Sequence, residues 1–325
     1  MEISYAPMEG ITTPLFRTLH RKFFTGVDKY YTPFISTGDS VRMNNREKED
    51  ADPSFNPGID LVPQIISNSA SQSVVYITHL GERYGHKEVN INLGCPSGTV
   101  VSKGKGSGML RDKDVFEEYL SSLKTGLSEK EKAGEKIPQV SLKTRIGFYS
   151  EDEFREVARI IEAYRPFKVI VHPRSRKSMY QGTPDMDAFS YMYDAFRSAG
   201  IGVVYNGDIK TPEDCERLIE RFPELSGVMI GRGLLRDPAL ARRIKGGSKA
   251  EPEEILTFME TVLDSYTEKI GTERFVLAKM KDLWAFMFSA FAGNEKGYRD
   301  MCKARTVEEY RVCTRQFVRN SEYIL

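Results

Sequence analysis

Eight short apolar runs, each stopped by glycine, proline or a polar turn, recur through the first three quarters of the chain. They are Ile3 to Ala6, Tyr30 to Ile35, Asp60 to Ile66, Glu88 to Leu93, Gln139 to Thr144, Phe167 to His172, Gly202 to Tyr205 and Gly227 to Ile230. Helical patterns fall between most of them: Pro14 to Phe24, Ala70 to Tyr84, Lys113 to Leu127, Glu151 to Tyr164, Asp185 to Ser198, Pro212 to Arg221 and Leu234 to Ile244. Strand and helix alternating through about 245 residues predict an α/β fold, a (β/α)8 TIM barrel. One interval fits poorly. Ser36 to Gly58 is polar, carries Pro53 and Pro57, and reads as a long loop more than a helix. A doubly wound open sheet is the competing arrangement, but no GxGxxG follows the first strand. The GKGSG at Gly104 to Gly108 lacks both Walker spacing and a following Lys-Ser/Thr pair.

After Gly246-Gly247-Ser248 the pattern turns wholly helical. Ile255, Met259, Val262, Tyr266 and Ile270 make one apolar stripe, a second helix from about Glu273 is rich in aromatics, and Thr306 to Glu309 reads as a capping box. The chain therefore divides into a barrel, residues 1–246, and a small C-terminal helical bundle, residues 247–325. Lys279, Lys281, Lys296, Arg299, Lys303, Arg305, Arg311, Arg315 and Arg319 recur through the last three helices, enough for a face that tracks phosphates, or for an ordinary solvated surface with interleaved acids.

The 325 residues are 40% apolar with a net charge of +1, so the chain can bury a large core, and a nucleic-acid partner would have to meet a local basic patch. No run of about 18 apolar residues is present, and the N-terminus lacks the basic-then-apolar design of a signal peptide. A cytoplasmic protein, with no membrane association, is expected. The four cysteines and four histidines show no ligand spacing, so no metal site is expected.

Active sites of such barrels lie at the C-terminal ends of the strands. There the sequence places Pro7-Met8-Glu9-Gly10, Gln64, Asn92 and Cys95, Lys143 and Arg145, His172 and Arg174, Asn206-Gly207-Asp208, and Gly231-Arg232-Gly233. Glycine turns after the last two strands let backbone N–H groups approach an anion, which predicts a phosphate site with Arg232 adding charge. Lys143 and Arg145 share a strand face, and two cations at a barrel mouth call for an anion or polar ligand, or for a neighbouring carboxylate. His172 ends an apolar strand and reads either as a hydrogen-bonded structural residue or as part of the site. Cys95 alone is a small buried hydrophobe. On a mobile glycine-lysine loop above a ligand-bearing mouth, its thiol can serve as a general acid.

The strand-end motifs together resemble the tRNA-dihydrouridine synthases: APMEGIT from Ala6, PQI around Gln64, NINLGCP from Asn90 followed by GKGSGML, LKTRIG from Leu142, VHPRSRKSMYQGTPD from Val171, YNGDI from Tyr205 and MIGRGLL from Met229. The resemblance implies FMN-dependent, NADPH-driven reduction of uridine in tRNA by a monomer. By the same resemblance, FMN would contact Pro7, Met8, Gln64, Lys143 and His172, with its phosphate at Asn206, Gly207, Asp208, Gly231 and Arg232. Cys95 would protonate uracil C5. Asn92, Arg145 and Arg174 would position the base, and Lys279 and Arg315 would grip the RNA backbone. Read with the other strand ends, Gly104 to Gly108 becomes a hinge that closes over a flipped base. Asn90 and Pro173 depart from the family pattern, where Asp and Gly are usual. Two other outcomes remain open here: an FMN barrel acting on a free small molecule, as dihydroorotate dehydrogenases do, or an RNA-binding protein without activity.

Overall fold

The computed structural model describes residues 1–325. Eight parallel strands close into one barrel in chain order: β1 Glu2–Tyr5, β2 Lys29–Ser36, β3 Leu61–Ile66, β4 Glu88–Leu93, β5 Gln139–Gly147, β6 Lys168–Ser175, β7 Gly202–Tyr205 and β8 Gly227–Ile230. The β1–β8 pairing from Glu2↔Gly227 to Tyr5↔Ile230 seals it. Helices α1 Pro14–Phe23, α2 Asn45–Ala51, α3 Ala70–Tyr84, α4 Gly98–Val101, α5 Lys113–Lys132, α6 Phe154–Tyr164, α7 Met186–Ser198, α8 Pro212–Arg221, α9 Arg232–Arg236 and α10 Leu240–Ile244 occupy the connections. The longer ones present an apolar face to the outside of the sheet, as the helical periodicity requires. In α6, for example, Val157, Ala158, Ile160, Ile161 and Tyr164 are buried.

The Ser36 to Gly58 interval corrects the expectation of a loop, because it holds α2. Asn44 caps it with a complete capping box to Glu47, and Pro53 lies beyond its end, where proline stops a helix. The segment is anchored from the inside. The buried Arg17 guanidinium donates to Asp50 Oδ1 at 3.0 Å, to Asn56 Oδ1 at 2.7 Å and to the Thr12 carbonyl at 2.6 Å. The expected helix from Leu234 to Ile244 is two short helices, α9 and α10, with Asp237 accepting the Ala239 N–H at the break.

Beyond the barrel come α11 Pro252–Ile270, α12 Glu273–Met287, α13 Glu295–Lys303 and α14 Val307–Arg319. Thr306 caps α14 by accepting the Glu309 N–H, while Glu309 turns to the Arg305 N–H, so only half of the capping box forms. The tail is not wholly helical: β9 Phe291–Ala292 pairs antiparallel with β10 Glu322–Tyr323 and pins the C-terminus. Trp284 packs edge-on against Phe317 at 5.4 Å inside the bundle. The bundle is welded to the shell through α11, where Phe258 meets Phe16 at 5.9 Å and Tyr266 hydrogen-bonds Thr13 at 2.9 Å. One continuous apolar cluster consequently runs through barrel shell and bundle.

Inside the barrel, a second apolar cluster of Ala6, Tyr31, Val62, Ile170, Val204 and Met229 fills one side. The other side is polar. Glu88, Asn90 and Asn92 alternate along β4, and the strand registers place Gln64 opposite Asn90, Ser141 opposite Asn90, and Lys143 opposite Asn92.

Candidate active site

The strand C-terminal ends open into a trough with two arms. One arm is a cavity of about 170 Å³ lined by Pro7, Met8, Gln64, Asn92, Cys95, Lys143 and His172, among others. It continues past Lys143 and His172 to Asn206, Gly207, Gly231 and Arg232. From there it opens toward Lys210 and Arg236, and against Ala285, Phe286 and Ser289 at the end of α12. The fold thus brings Cys95 and the glycine turns after β7 and β8 into one continuous depression.

Cys95 is fixed at both ends of its peptide unit. Its N–H and that of Gly94 donate to Asn92 Oδ1 at 2.8 and 3.0 Å, and its carbonyl accepts from the N–H and hydroxyl of Ser107 at 3.1 and 2.8 Å. Gly106, at φ +59°, is the point of closest approach: a Cβ there would lie 3.0 Å from the Cys95 carbonyl and 3.1 Å from its Cβ. The loop expected to be a mobile hinge is therefore docked. Gly106, Ser107 and Gly108 are buried, and Lys105 ties the loop to Ser36 and Thr37 at 3.0 Å. Burial pushes the Cys95 thiol above its ordinary value, against the weaker pull of Lys143 and Arg145, so it holds its proton at neutral pH.

Lys143 has no carboxylate partner. Burial, aided by the Arg145 charge, brings its pKa down to about 7. Burial and the cations Arg145, Lys143, Arg174 and Arg232 hold the His172 imidazole well below its ordinary range, so it is neutral. Arg174 Nη1 lies 3.3 Å from His172 Nε2, and a guanidinium only donates. Nε2 is thus the acceptor and Nδ1 carries the hydrogen.

The two arginines expected to meet substrate are already committed. Arg145 donates to the carbonyls of Gly94 (2.8 Å), Ser175 (2.8 Å) and Met179 (2.7 Å) and is 1% exposed. Arg174, also 1% exposed, donates to the carbonyls of Gln181 and Gly182 and to Asp208 at 2.6 Å. They hold the loop after β6 in place. Asn92 is likewise occupied, since its Oδ1 shapes the Cys95 turn and its Nδ2 donates to Gln64 at 2.7 Å. Asp208 bridges Arg174 and Arg232. Burial opposes its ionisation, but both arginines outweigh it and hold the carboxyl below its usual range, so its side chain repels an anion instead of binding one. Asn206 donates to the Met229 carbonyl at 2.7 Å. Gly207 permits the turn itself, because a Cβ there would meet the Tyr205 hydroxyl at 2.0 Å.

Tyr180 was missed in the sequence. It borders every part of the trough, sits 6.0 Å from His172 ring to ring, and has the guanidinium groups of Arg145 and Arg232 5.4 and 4.8 Å from its ring centre, while half of the side chain stays exposed. Its signal was an exposed aromatic inside a basic loop, SRKSMYQG, whose reach over the mouth only the fold defines.

In the bundle, Lys279 donates to the Gly10 carbonyl at 2.7 Å and so braces the β1 turn. Arg311, Arg315 and Arg319 of α14 face Asp264, Glu260 and Glu253 of α11, which makes that stripe a helix–helix seam. Exposed cations with no carboxylate within 4.0 Å include Lys296, Arg299, Lys303 and Arg305, on α13 and just after it, together with Arg274 on α12 and Lys249 ahead of α11. Tyr298 of α13 stacks on Phe288 at 4.0 Å, next to Phe286 and Ser289 of the trough wall. No group of three or more His, Cys, Asp or Glu could hold a metal ion, and no helix is long and apolar enough to cross a membrane.

A family model described as dihydrouridine synthase (Dus) matches residues 4–315. The chain is 26% identical over 280 residues to tRNA-dihydrouridine synthase B of Shewanella oneidensis, covering 82% of this chain and 79% of that protein. It is 29% identical over 247 residues to a probable tRNA-dihydrouridine synthase of Staphylococcus aureus, covering 72% of this chain and 68% of that one. Among solved structures, TcOYE with pHBA superposes with a TM-score of 0.51 at 8% identity, over 78% of this chain and 91% of that chain, a likeness of barrel fold alone.

Proposed function

The chain belongs to the dihydrouridine synthase family, an oxidoreductase family, and from that premise we propose that it reduces uridine to 5,6-dihydrouridine in tRNA, with FMN bound in the trough and NADPH as reductant. The observation that carries this reading is a proton-bearing thiol, Cys95, in the same cavity as the half-buried amine of Lys143, which no carboxylate meets.

The residues fit a flavin. Lys143 lacks a counter-ion, and the electron-rich pyrimidine side of a flavin ring supplies one. Pro7 and Met8 offer an apolar floor and neutral His172 a hydrogen bond, while Gln64, its amide engaged by Asn90 and Asn92, closes the wall between them. For the phosphate, the turns at Asn206-Gly207 and Gly231-Arg232 fit, with Arg232 as the cation and Asp208 as its brace. A flavin held there would supply the hydride for uracil C6, with NADPH as the source of its electrons.

Everything else falls to the chain. Addition of hydride at C6 leaves electron density at C5, and Cys95, protonated at neutral pH, gives that carbon its proton; the thiolate left behind regains one from solvent. Asn92 orients Cys95 by holding its N–H. Arg145 and Arg174 fix the loop bearing Tyr180, whose ring offers a stacking surface for an extruded base. Residues 1–246 form the catalytic barrel in this reading, and residues 247–325 the unit that grips RNA, through Lys296, Arg299, Lys303 and Arg305 in place of Lys279 and Arg315.

The test is direct. The purified protein, loaded with FMN and given NADPH and unmodified tRNA transcript, should yield dihydrouridine by nucleoside mass spectrometry, whereas Cys95→Ala should still be reduced by NADPH and yield little. Undiminished product from Cys95→Ala would remove the thiol from the mechanism.

A further inference from the structure

Below the cavity, a single file of hydrogen bonds runs down the polar side of the barrel. Asn92 Oδ1 accepts the Gly94 and Cys95 N–H groups, and its Nδ2 donates to Gln64 Oε1 at 2.7 Å. Gln64 Nε2 donates to Asn90 Oδ1 at 2.7 Å, and Asn90 Nδ2 donates to Ser141 Oγ at 2.9 Å. Ser141 donates in turn to Glu88 Oε1 at 2.6 Å. Glu88 sits at the opposite end of the barrel, with Lys29 and Lys168 each 3.1 Å from its other oxygen.

An amide can present either end to a neighbour, so three amides in file are ambiguous unless their ends are fixed. Both ends are fixed here. The Glu88 carboxylate, held ionised by its two lysines, only accepts, so the Ser141 hydroxyl must spend its proton on it. The Ser141 oxygen can then only accept, and Asn90 has to offer its NH2. A reversed Asn90 would set two oxygens face to face. Each amide passes the constraint upward, and at the top the Gly94 and Cys95 N–H groups, donors only, demand the same direction.

We propose that Ser141 is a positioning residue: through Asn90 and Gln64 it relays the acceptor-only character of Glu88 to Asn92, and so fixes the turn that carries Cys95 and the face that Gln64 presents to the cavity. The inference rests on the reading of Cys95 as proton donor only for its effect on catalysis; its effect on the Cys95 turn is separate.

Two readouts keep the two apart. Alkylation of Cys95 by iodoacetamide, followed by peptide mass spectrometry so that Cys215, Cys302 and Cys313 are resolved from it, should be about fivefold faster in Ser141→Ala, the loss of one net hydrogen bond in the file. Ser141→Thr, which keeps the hydroxyl, should return to the wild-type rate. Glu88→Gln should speed alkylation in the wild-type background and leave it unchanged in Ser141→Ala, because its influence passes through that hydroxyl. If Glu88→Gln fails to fold, the Ala and Thr pair still decides. A Cys95 alkylation rate in Ser141→Ala equal to wild type, or one that Thr does not restore, would overturn the proposal. Turnover on tRNA should fall about fivefold in Ser141→Ala with KM unchanged. If the wild type does not reduce tRNA at all, the proposed function fails while the alkylation result still judges the relay.

Discussion

Lys143→Met should stabilise the flavin-free protein and weaken its hold on flavin, two effects of opposite sign from one change. The ammonium faces the cavity without a carboxylate, and burial together with Arg145 takes its pKa from 10.5 to about 7. At about 1.4 kcal/mol per tenfold, that fall is on the order of 4 kcal/mol carried by the native state near neutral pH. Methionine fills nearly the same space with no charge to desolvate. The pH dependence gives the sign. The folded pKa lies below the unfolded one, so between pH 7 and 10.5 the unfolded chain binds a proton that the native state does not. Wild-type stability therefore rises with pH across that window, by up to about 1.4 kcal/mol per pH unit. The methionine variant lacks this rise, so its advantage is full at neutral pH and gone near the upper end. Urea unfolding of both flavin-stripped proteins at about pH 7 and about pH 9.5 measures it. Flavin affinity, by fluorescence quenching, should drop at least tenfold, roughly the value of a hydrogen bond to a charged group. A variant that unfolds more readily than wild type at neutral pH and binds flavin as well would refute the assignment of Lys143 as an unpartnered cation.

Other changes test separate parts of the site. Lys296→Glu with Arg299→Glu should weaken tRNA binding severalfold and flatten its salt dependence, while Arg315→Glu, on the seam with Glu260, should cost stability more than affinity. Filter binding across a salt series distinguishes them, and equal losses from both would return the RNA face to α14. Gly106→Ala should lose about 1–2 kcal/mol of stability from the left-handed φ alone and displace Cys95, seen as altered alkylation of that thiol; a silent substitution would mean that the loop is not braced there. Arg174→Lys should release the loop after β6, because an ammonium cannot span Asp208 and two carbonyls, and limited proteolysis near Gln181 should speed up.

What the sequence disclosed and what it hid follow from the range of the interactions. β4, β7, β8 and α8 run between their expected ends because alternation and capping are local. α2 escaped notice because Pro53 and Pro57 outweighed a legible signal, Asn44 three residues before Glu47. The committed arginines were illegible for a different reason. Arg145, Arg174 and Arg315 look like cations awaiting a ligand until the carbonyls of Met179 and Gly182 and the carboxylate of Glu260 arrive from distant parts of the chain. The polar file behaves likewise. Glu88, Asn90 and Asn92 plainly share one face of β4, but only the register with β3 and β5 brings Gln64 and Ser141 beside them.

In the proposed reaction, reduced flavin in this barrel spends its electrons on uridine while Cys95 supplies the proton. Anaerobic mixing of NADPH-reduced, FMN-loaded protein with unmodified tRNA, followed in the flavin absorbance band and by dihydrouridine analysis of the quenched RNA, measures both at once. The flavin should reoxidise with one dihydrouridine formed per flavin, and at least tenfold more slowly in Cys95→Ala. Flavin that stays reduced in the presence of tRNA, or reoxidises without dihydrouridine, would contradict it.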